Sequence, residues 1–194
     1  QLVTKDESDY YAIYAGPEIF AYQDVKYIER ALASVGEDRT GDKQVTVTLK
    51  DIVMLSPEEL EEAKSKGAKF NNEFLQTSMT EFNQQIFTGD SVICLLSPYM
   101  YENVHEEGGF LPLSEIFDEI PDSAYDDCGI ILSETDFGKD FQGISALPDN
   151  TILCMRKIST MSAFGSKKKS EKQQQDYLTL FRNIVNYTSG AEPG

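Results

Sequence analysis

FLQTSMTEFNQQIFTGDSVICLLSPYMYENVHEEGGFLPL, residues 74–113, holds the grammar of one α/β unit. Phe70, Phe74, Ser78, Phe82 and Ile86 recur at steps of four, which predicts a helix with one apolar face. Gly89 supplies a left-handed stop for that helix. Ser91–Leu96 then has no polar residue after its first position. A run buried on both faces predicts a parallel strand with helices on each side. Ser97-Pro98 ends the strand, Tyr99–Glu107 forms a short helix, and Gly108-Gly109 closes it.

The same alternation extends in both directions. Asp9–Ala15 (DYYAIYA) is aromatic and β-branched and predicts a strand, broken by Gly16-Pro17. Val25, Ile28, Leu32 and Val35 stripe a helix that Gly36 ends. Val45–Leu55 predicts a strand entering the sheet core. Ser56, Pro57 and Glu59 form a capped helix start, and Gly67 interrupts the helix. Ser114 is predicted to cap a short helix (SEIFDEI) limited by Pro121. Gly129–Ser133 and Thr151–Ile158 predict two further strands, with a polar loop over Thr135–Gln142 between them. Ser159–Lys172 reads as a loop carrying the basic run Lys167-Lys168-Lys169. Tyr177, Phe181, Ile184 and Val185 line a last helix that packs across the sheet. The order predicts a three-layer α/β sandwich with a mainly parallel sheet. It divides into a flexible lead-in over 1–8, one domain over 9–188 and a disordered tail over 189–194.

Composition narrows the functions. The chain has 194 residues, 40% hydrophobic and 26% charged, enough to bury a substantial core. A net charge of −16 repels nucleic acid and anionic membrane surfaces, so neither is an expected partner. No apolar run reaches the roughly 20 residues of a membrane span, and no leader peptide opens the chain at Gln1, so any tether is expected upstream of it. Cys94 and Cys154 lie within apolar runs and Cys128 precedes GIIL, which predicts buried free thiols. A Cys94–Cys154 bridge between two strand interiors is the alternative.

No catalytic constellation emerges. His105 is the sole histidine and sits on a helix among Glu102, Glu106 and Glu107, where it reads as an exposed residue and a poor metal ligand. The loop Glu37–Lys43 carries Asp38, Thr40 and Asp42 on alternate positions but lacks the closing Glu of a calcium loop. Asp126-Asp127 and Glu58-Glu59 read as solvated pairs. No cofactor, metal or enzymatic activity is expected. Open parallel sheets bind ligands beyond the carboxyl ends of their strands. Those ends assign Tyr14, Gly16, Pro17, Ser97, Pro98, Tyr99, Tyr101 and Ser133 as the ligand-binding set, with the tyrosines suited to stacking on sugars or peptides.

Thr88-Gly89-Asp90, Ser91–Ser97, Tyr99–Val104, Gly109 and Leu111-Pro112-Leu113 together resemble the extracellular solute-binding proteins of ABC importers, of the type 2 periplasmic-binding fold. Asp140–Arg156 is similar to the family's next block, in which a turn precedes a strand crossing between lobes; Gly143-Ile144 matches and Ser145 replaces the family's proline. Family members have two lobes that close on a ligand. Here one loop and one helix follow the crossing strand, so the resemblance implies a single lobe. It also implies an extracytoplasmic, membrane-tethered setting, with a small solute or a protein as partner. A structural or interaction module of the envelope, with no small ligand, is the alternative.

Overall fold

Continuous apolarity sends the strand of residues 91–96 to the middle of the molecule. In the computed structural model, which describes residues 7–158 and 166–190, β3 (Ile93–Leu96) is buried at every position. It pairs in parallel with β1 (Tyr10–Gly16), and β1 pairs in parallel with β2 (Val47–Val53). On its other side β3 meets β5 (Ile152–Met155) antiparallel, and β5 meets the two-residue β4 (Ile130–Ile131) antiparallel. The order is β2-β1-β3-β5-β4, so four strands share one direction and β5 opposes them. This is a three-layer α/β sandwich with a mixed, mostly parallel sheet.

The period-two alternation of strands divides the core. Tyr10, Ala12, Tyr14, Ile93, Leu95, Leu153 and Met155 face α1 (Tyr22–Ser34) and α6 (Ser166–Asn186). Ile28 and Leu32 of α1 and Tyr177, Phe181 and Ile184 of α6 cover them. Ile13, Ala15, Ile52, Cys94, Leu96, Ile152 and Cys154 face the opposite layer. There α3 (Asn72–Thr88) contributes Phe82 and Ile86, and α4 (Pro98–Glu106) contributes Met100, Tyr101 and Val104. Burying each large aliphatic side chain is worth about 1.5–3 kcal/mol.

The predicted capping box at Ser56 is present. The Ser56 hydroxyl accepts from the Glu59 amide at 3.1 Å, and the Glu59 carboxylate accepts from the Ser56 amide, opening α2 (Pro57–Ser65). Ser56→Ala is expected to cost about 1 kcal/mol, read as a lowered midpoint in urea with an unchanged slope.

Several expectations are corrected. Gly67 is left-handed (φ +90), whereas Gly89 is extended (φ −84, ψ −179). A glycine at 89 serves closeness instead: an added Cβ would stand 2.7 Å from Gln85 Cα. Just past the helix end, the guanidinium of Arg156 holds the chain by donating to the Gly89 and Ser91 carbonyls at 2.7 and 2.8 Å. The α3 stripe is buried only from Ser78 onward, and Phe74 is 46% exposed. β2 is an edge strand and not a core strand, with its Leu49 amide satisfied by the Glu29 carboxylate at 2.8 Å. The helix expected from Ser114 shrinks to a 3₁₀ turn over Leu113–Glu115, without a Ser114 cap. The strand expected over Gly129–Ser133 shrinks to β4, followed by a 3₁₀ turn over Leu132–Glu134. The polar loop Thr135–Gln142 instead holds α5 (Asp136–Asp140), because Thr135 Oγ1 accepts from the Gly138 amide at 2.9 Å and Phe137 is fully buried. The basic run at 167–169 belongs to α6 rather than to a loop. Residues 1–6 of the lead-in, 159–165 of the expected loop and 191–194 of the tail lie outside the described residues.

All three cysteines are buried free thiols. Cys94 and Cys154 are direct cross-strand partners at a hydrogen-bonded pair of the antiparallel ladder, since the Arg156 amide bonds Val92 two residues away. The calcium-like loop is spoken for by its own backbone. Asp38 accepts from the Gly41 and Lys43 amides at 2.7 and 2.8 Å, and Asp42 accepts from the Gln44 amide at 2.9 Å. No helix among the described residues is long and apolar enough to cross a membrane.

Candidate functional site

The rim beyond the C-terminal strand ends is built by chain reversals. The Ser97 amide donates to the Ala15 carbonyl at 2.9 Å and the Met54 amide to Gly16 at 2.8 Å, so three strands end at one level. Ser97 then caps α4, its hydroxyl accepting from the Met100 amide at 3.4 Å, and Pro98 takes the first helical position. Gly16, Pro17, Ser97 and Pro98 adjoin there: a Cβ added to Gly16 would lie 3.4 Å from Ser97 Cβ.

The other four predicted residues do not join them. Tyr14 is buried behind the mouth. Its ring meets Phe20 edge-on at 4.8 Å, and its hydroxyl accepts from the Glu18 amide at 3.2 Å, so it shapes the turn from inside. Burial pushes that hydroxyl's pKa well up. Tyr101 is fully buried on the α4 side of the sheet, stacked on Phe110 at 5.0 Å, with its hydroxyl donating to Asp126 at 2.5 Å. A committed hydroxyl on a buried ring has nothing to offer a ligand. Tyr99, half-buried, turns into a groove of about 290 Å³ between α3 and α4, beside Met79, Phe87 and Asn103. Ser133 lies two residues past β4, and β5 separates it from Ser97. It borders a cavity of about 210 Å³ with Lys139, Ile144, Ser145 and Asp149, and its hydroxyl donates to the Asp149 carbonyl at 2.7 Å.

Two features escape a residue-by-residue reading. At the rim, Ile19 is 74% and Tyr22 77% exposed, with the Lys26 ammonium 5.2 Å from the Tyr22 ring centre. The signal was available, because both lie outside the apolar stripe of α1. On the α4 side, His105 is not a free helix residue: its Nε2 lies 2.6 Å from Asp127 Oδ1 and 3.6 Å from Asp126 Oδ2. With Cys128 Sγ, the His105 and Asp127 donors form a group whose ligand atoms all lie within 4.8 Å of one another. Contacts across more than twenty residues of chain leave no local pattern.

The chemistry of these groups can be stated. The hydrogen bond from His105 holds the Asp127 carboxyl below its usual value. Burial, with Asp127 and Asp126 nearby, pushes the Cys128 thiol up to about 12. A thiol so protonated is a poor nucleophile despite its histidine neighbour. No protein-family model, no curated protein and no solved structure matches this chain significantly.

Proposed function

We propose that this chain is a non-enzymatic, extracytoplasmic binding domain that recognises a peptide or protein segment at the rim beyond β1 and β3, as one lobe of a solute-binding protein does. The observation carrying this reading is the exposure of Ile19 and Tyr22 in and just after the turn that follows Gly16-Pro17 at the end of β1. Ligands of open α/β sheets sit at that end. An aliphatic chain and an amphipathic ring left in water there supply anchors of the kind that dominate interfaces. The likeness to one lobe gains support from β5. Ile152 stands opposite Leu96 and Ile131, so the chain enters β5 from the rim, the side on which a second lobe would join. In this lobe the rim is open, and a bound partner meets it there. A membrane-tethered setting belongs to the same reading.

The cavity beside Ser133 favours a second reading, a small polar solute. Lys139 and Asp149 give it both charges, and Ser133 and Ser145 give it hydroxyls. Thermal-shift measurements with sugars, amino acids and short peptides separate the two. Peptide stabilisation that is lost in an Ile19→Ser/Tyr22→Ser variant supports the rim reading; these exposed substitutions alter stability by about 0.5 kcal/mol or less each. Sugar or amino-acid stabilisation that survives that variant moves the site to the cavity. Stabilisation by none of the three classes rejects both and leaves an envelope interaction or structural module.

A further inference from the structure

The group around His105 bears on a function separate from the rim. His105 comes from the last turn of α4, whereas Asp126, Asp127 and Cys128 come from the loop before β4. Three of the four donors are already oriented by the fold. The His105 ring lies against Tyr101, centroids 5.4 Å apart. Asp126 Oδ1 accepts three hydrogen bonds, from the Tyr101 hydroxyl at 2.5 Å and from the Cys128 and Gly129 amides at 2.9 Å each. Those bonds fix the carboxylate and leave Oδ2 facing His105 at 3.6 Å. Cys128 is held on the core side, its Sγ 3.9 Å from the Phe110 carbonyl. Asp127 lies on the solvent side, 71% exposed, so the approach is open.

We propose that His105 Nε2, Asp127 Oδ1 and Cys128 Sγ, with Asp126 Oδ2 as the fourth donor, form a binding site for a zinc-class divalent cation that clips α4 to the loop before β4. The donor set selects the metal class. Sulfur and imidazole nitrogen suit borderline cations that accept four ligands, and they do not suit calcium or magnesium, which take oxygen. The His105, Asp127 and Cys128 donor atoms lie within 4.8 Å of one another and close around one ion by side-chain shifts on the order of 1 Å, and Asp126 Oδ2, 3.6 Å from His105 Nε2, fills the fourth position. The cation takes the place of the hydrogen between His105 Nε2 and Asp127, the neutral ring then carrying its proton on Nδ1, and the Cys128 proton leaves to solvent as the thiolate binds. Two carboxylates and a thiolate then surround a doubly positive ion, which relieves the crowding of negative groups on one histidine. The Tyr101 hydroxyl acts through Asp126 as a positioning group.

The test titrates the full chain with zinc chloride, and separately with cobalt chloride, in excess magnesium. One zinc ion per chain is expected, with a raised thermal midpoint. The cobalt complex is expected to show thiolate-to-cobalt charge-transfer absorption in the near ultraviolet. His105→Ala and Asp127→Ala should each weaken zinc binding more than a hundredfold, and Tyr101→Phe about tenfold to a hundredfold. Cys128→Ser should abolish the charge-transfer band. Asp127 is exposed, so its variant keeps the fold and remains informative if the Cys128 variant does not. The proposal is overturned by the absence of stoichiometric zinc binding, by a wild-type cobalt complex without the thiolate band, or by Asp127→Ala binding zinc as tightly as wild type. The last result would mark general attraction to an acidic surface.

Discussion

Asp9→Ala is expected to destabilise the protein by about 3 kcal/mol or more, a drop of roughly 6–12 °C in thermal midpoint for a chain of this size. The residue is 1% exposed and sits just before β1. Its carboxylate accepts from the amides of Arg39, Thr40 and Thr46 at 2.6, 2.9 and 2.8 Å, and from the Thr46 hydroxyl at 3.2 Å. Alanine leaves those donors without an acceptor at a site already closed by Arg39. That guanidinium donates to the Asp9 carbonyl at 2.5 Å, pairs with Asp176 of α6 at 2.9 Å and lies over the Tyr10 and Tyr177 rings. Asp9→Asn keeps one acceptor oxygen and should fall between the two. The pH dependence has a definite sign. Burial pushes the Asp9 carboxyl up, but the four hydrogen bonds to its ionised form outweigh that, and its folded pKa lies below the ordinary value. Its contribution is therefore complete above about pH 4 and lost as pH falls through the depressed folded value. Urea unfolding at pH 7 and pH 3 should show the gap between wild type and Asp9→Asn shrinking at the lower pH. A gap equal at both would mean that ionisation of Asp9 does not matter.

Phe137→Ala is expected to cost about 3–5 kcal/mol, the range for emptying a large aromatic site in a core. Phe137→Leu keeps most of the volume and should cost about 1 kcal/mol. Phe137 is fully buried in α5, its ring centre 4.6 Å from that of Phe141 and 6.0 Å from that of Tyr187. If residues 135–142 were the polar loop that their composition suggests, the alanine variant would lose no more than about 0.5 kcal/mol. Chemical denaturation decides between the two. Gly138 is part of the same packing: a Cβ there would collide with the Leu132 carbonyl oxygen. The helix thus lies against the turn that leads to Ser133 and forms one wall of the cavity there.

Much of the architecture was legible because its causes are local. A strand covered on both faces needs an unbroken apolar run, and VICLL has one; a helix start needs a capping side chain and tolerates proline, and Ser56-Pro57 meets both needs. The candidate site was legible only in part. Gly16, Ser97 and Pro98 meet at the rim because each ends a strand or starts a helix, and Pro17 directly follows the end of β1. The tyrosines near them could not be placed the same way. Whether a ring at a strand end faces solvent or core depends on the side of the sheet it takes and on what lies across from it, and the buried Tyr14 and Tyr101 both found partners for ring and hydroxyl.

Chain direction is the deeper gap between pattern and structure. The apolar run TILCM predicts a buried strand equally well in either direction and in any slot of the sheet. Only the fold inserts it antiparallel between β3 and β4. That single placement sets Cys154 beside Cys94 and parts Ser133 from Ser97. The return of the loop at 125–129 against α4 likewise brings His105 to Asp127, through bonds from the Tyr101 hydroxyl and backbone amides to Asp126 that no spacing rule encodes. Local pattern alone dictates much of the alternation of strands and helices, the Ser56 cap and the apolar faces of the long central elements, since each depends on neighbours within a few residues. Which faces meet, and so which polar groups converge, is a matter of long-range packing, where pairings distant in the chain compete and the best burial with satisfied hydrogen bonds wins.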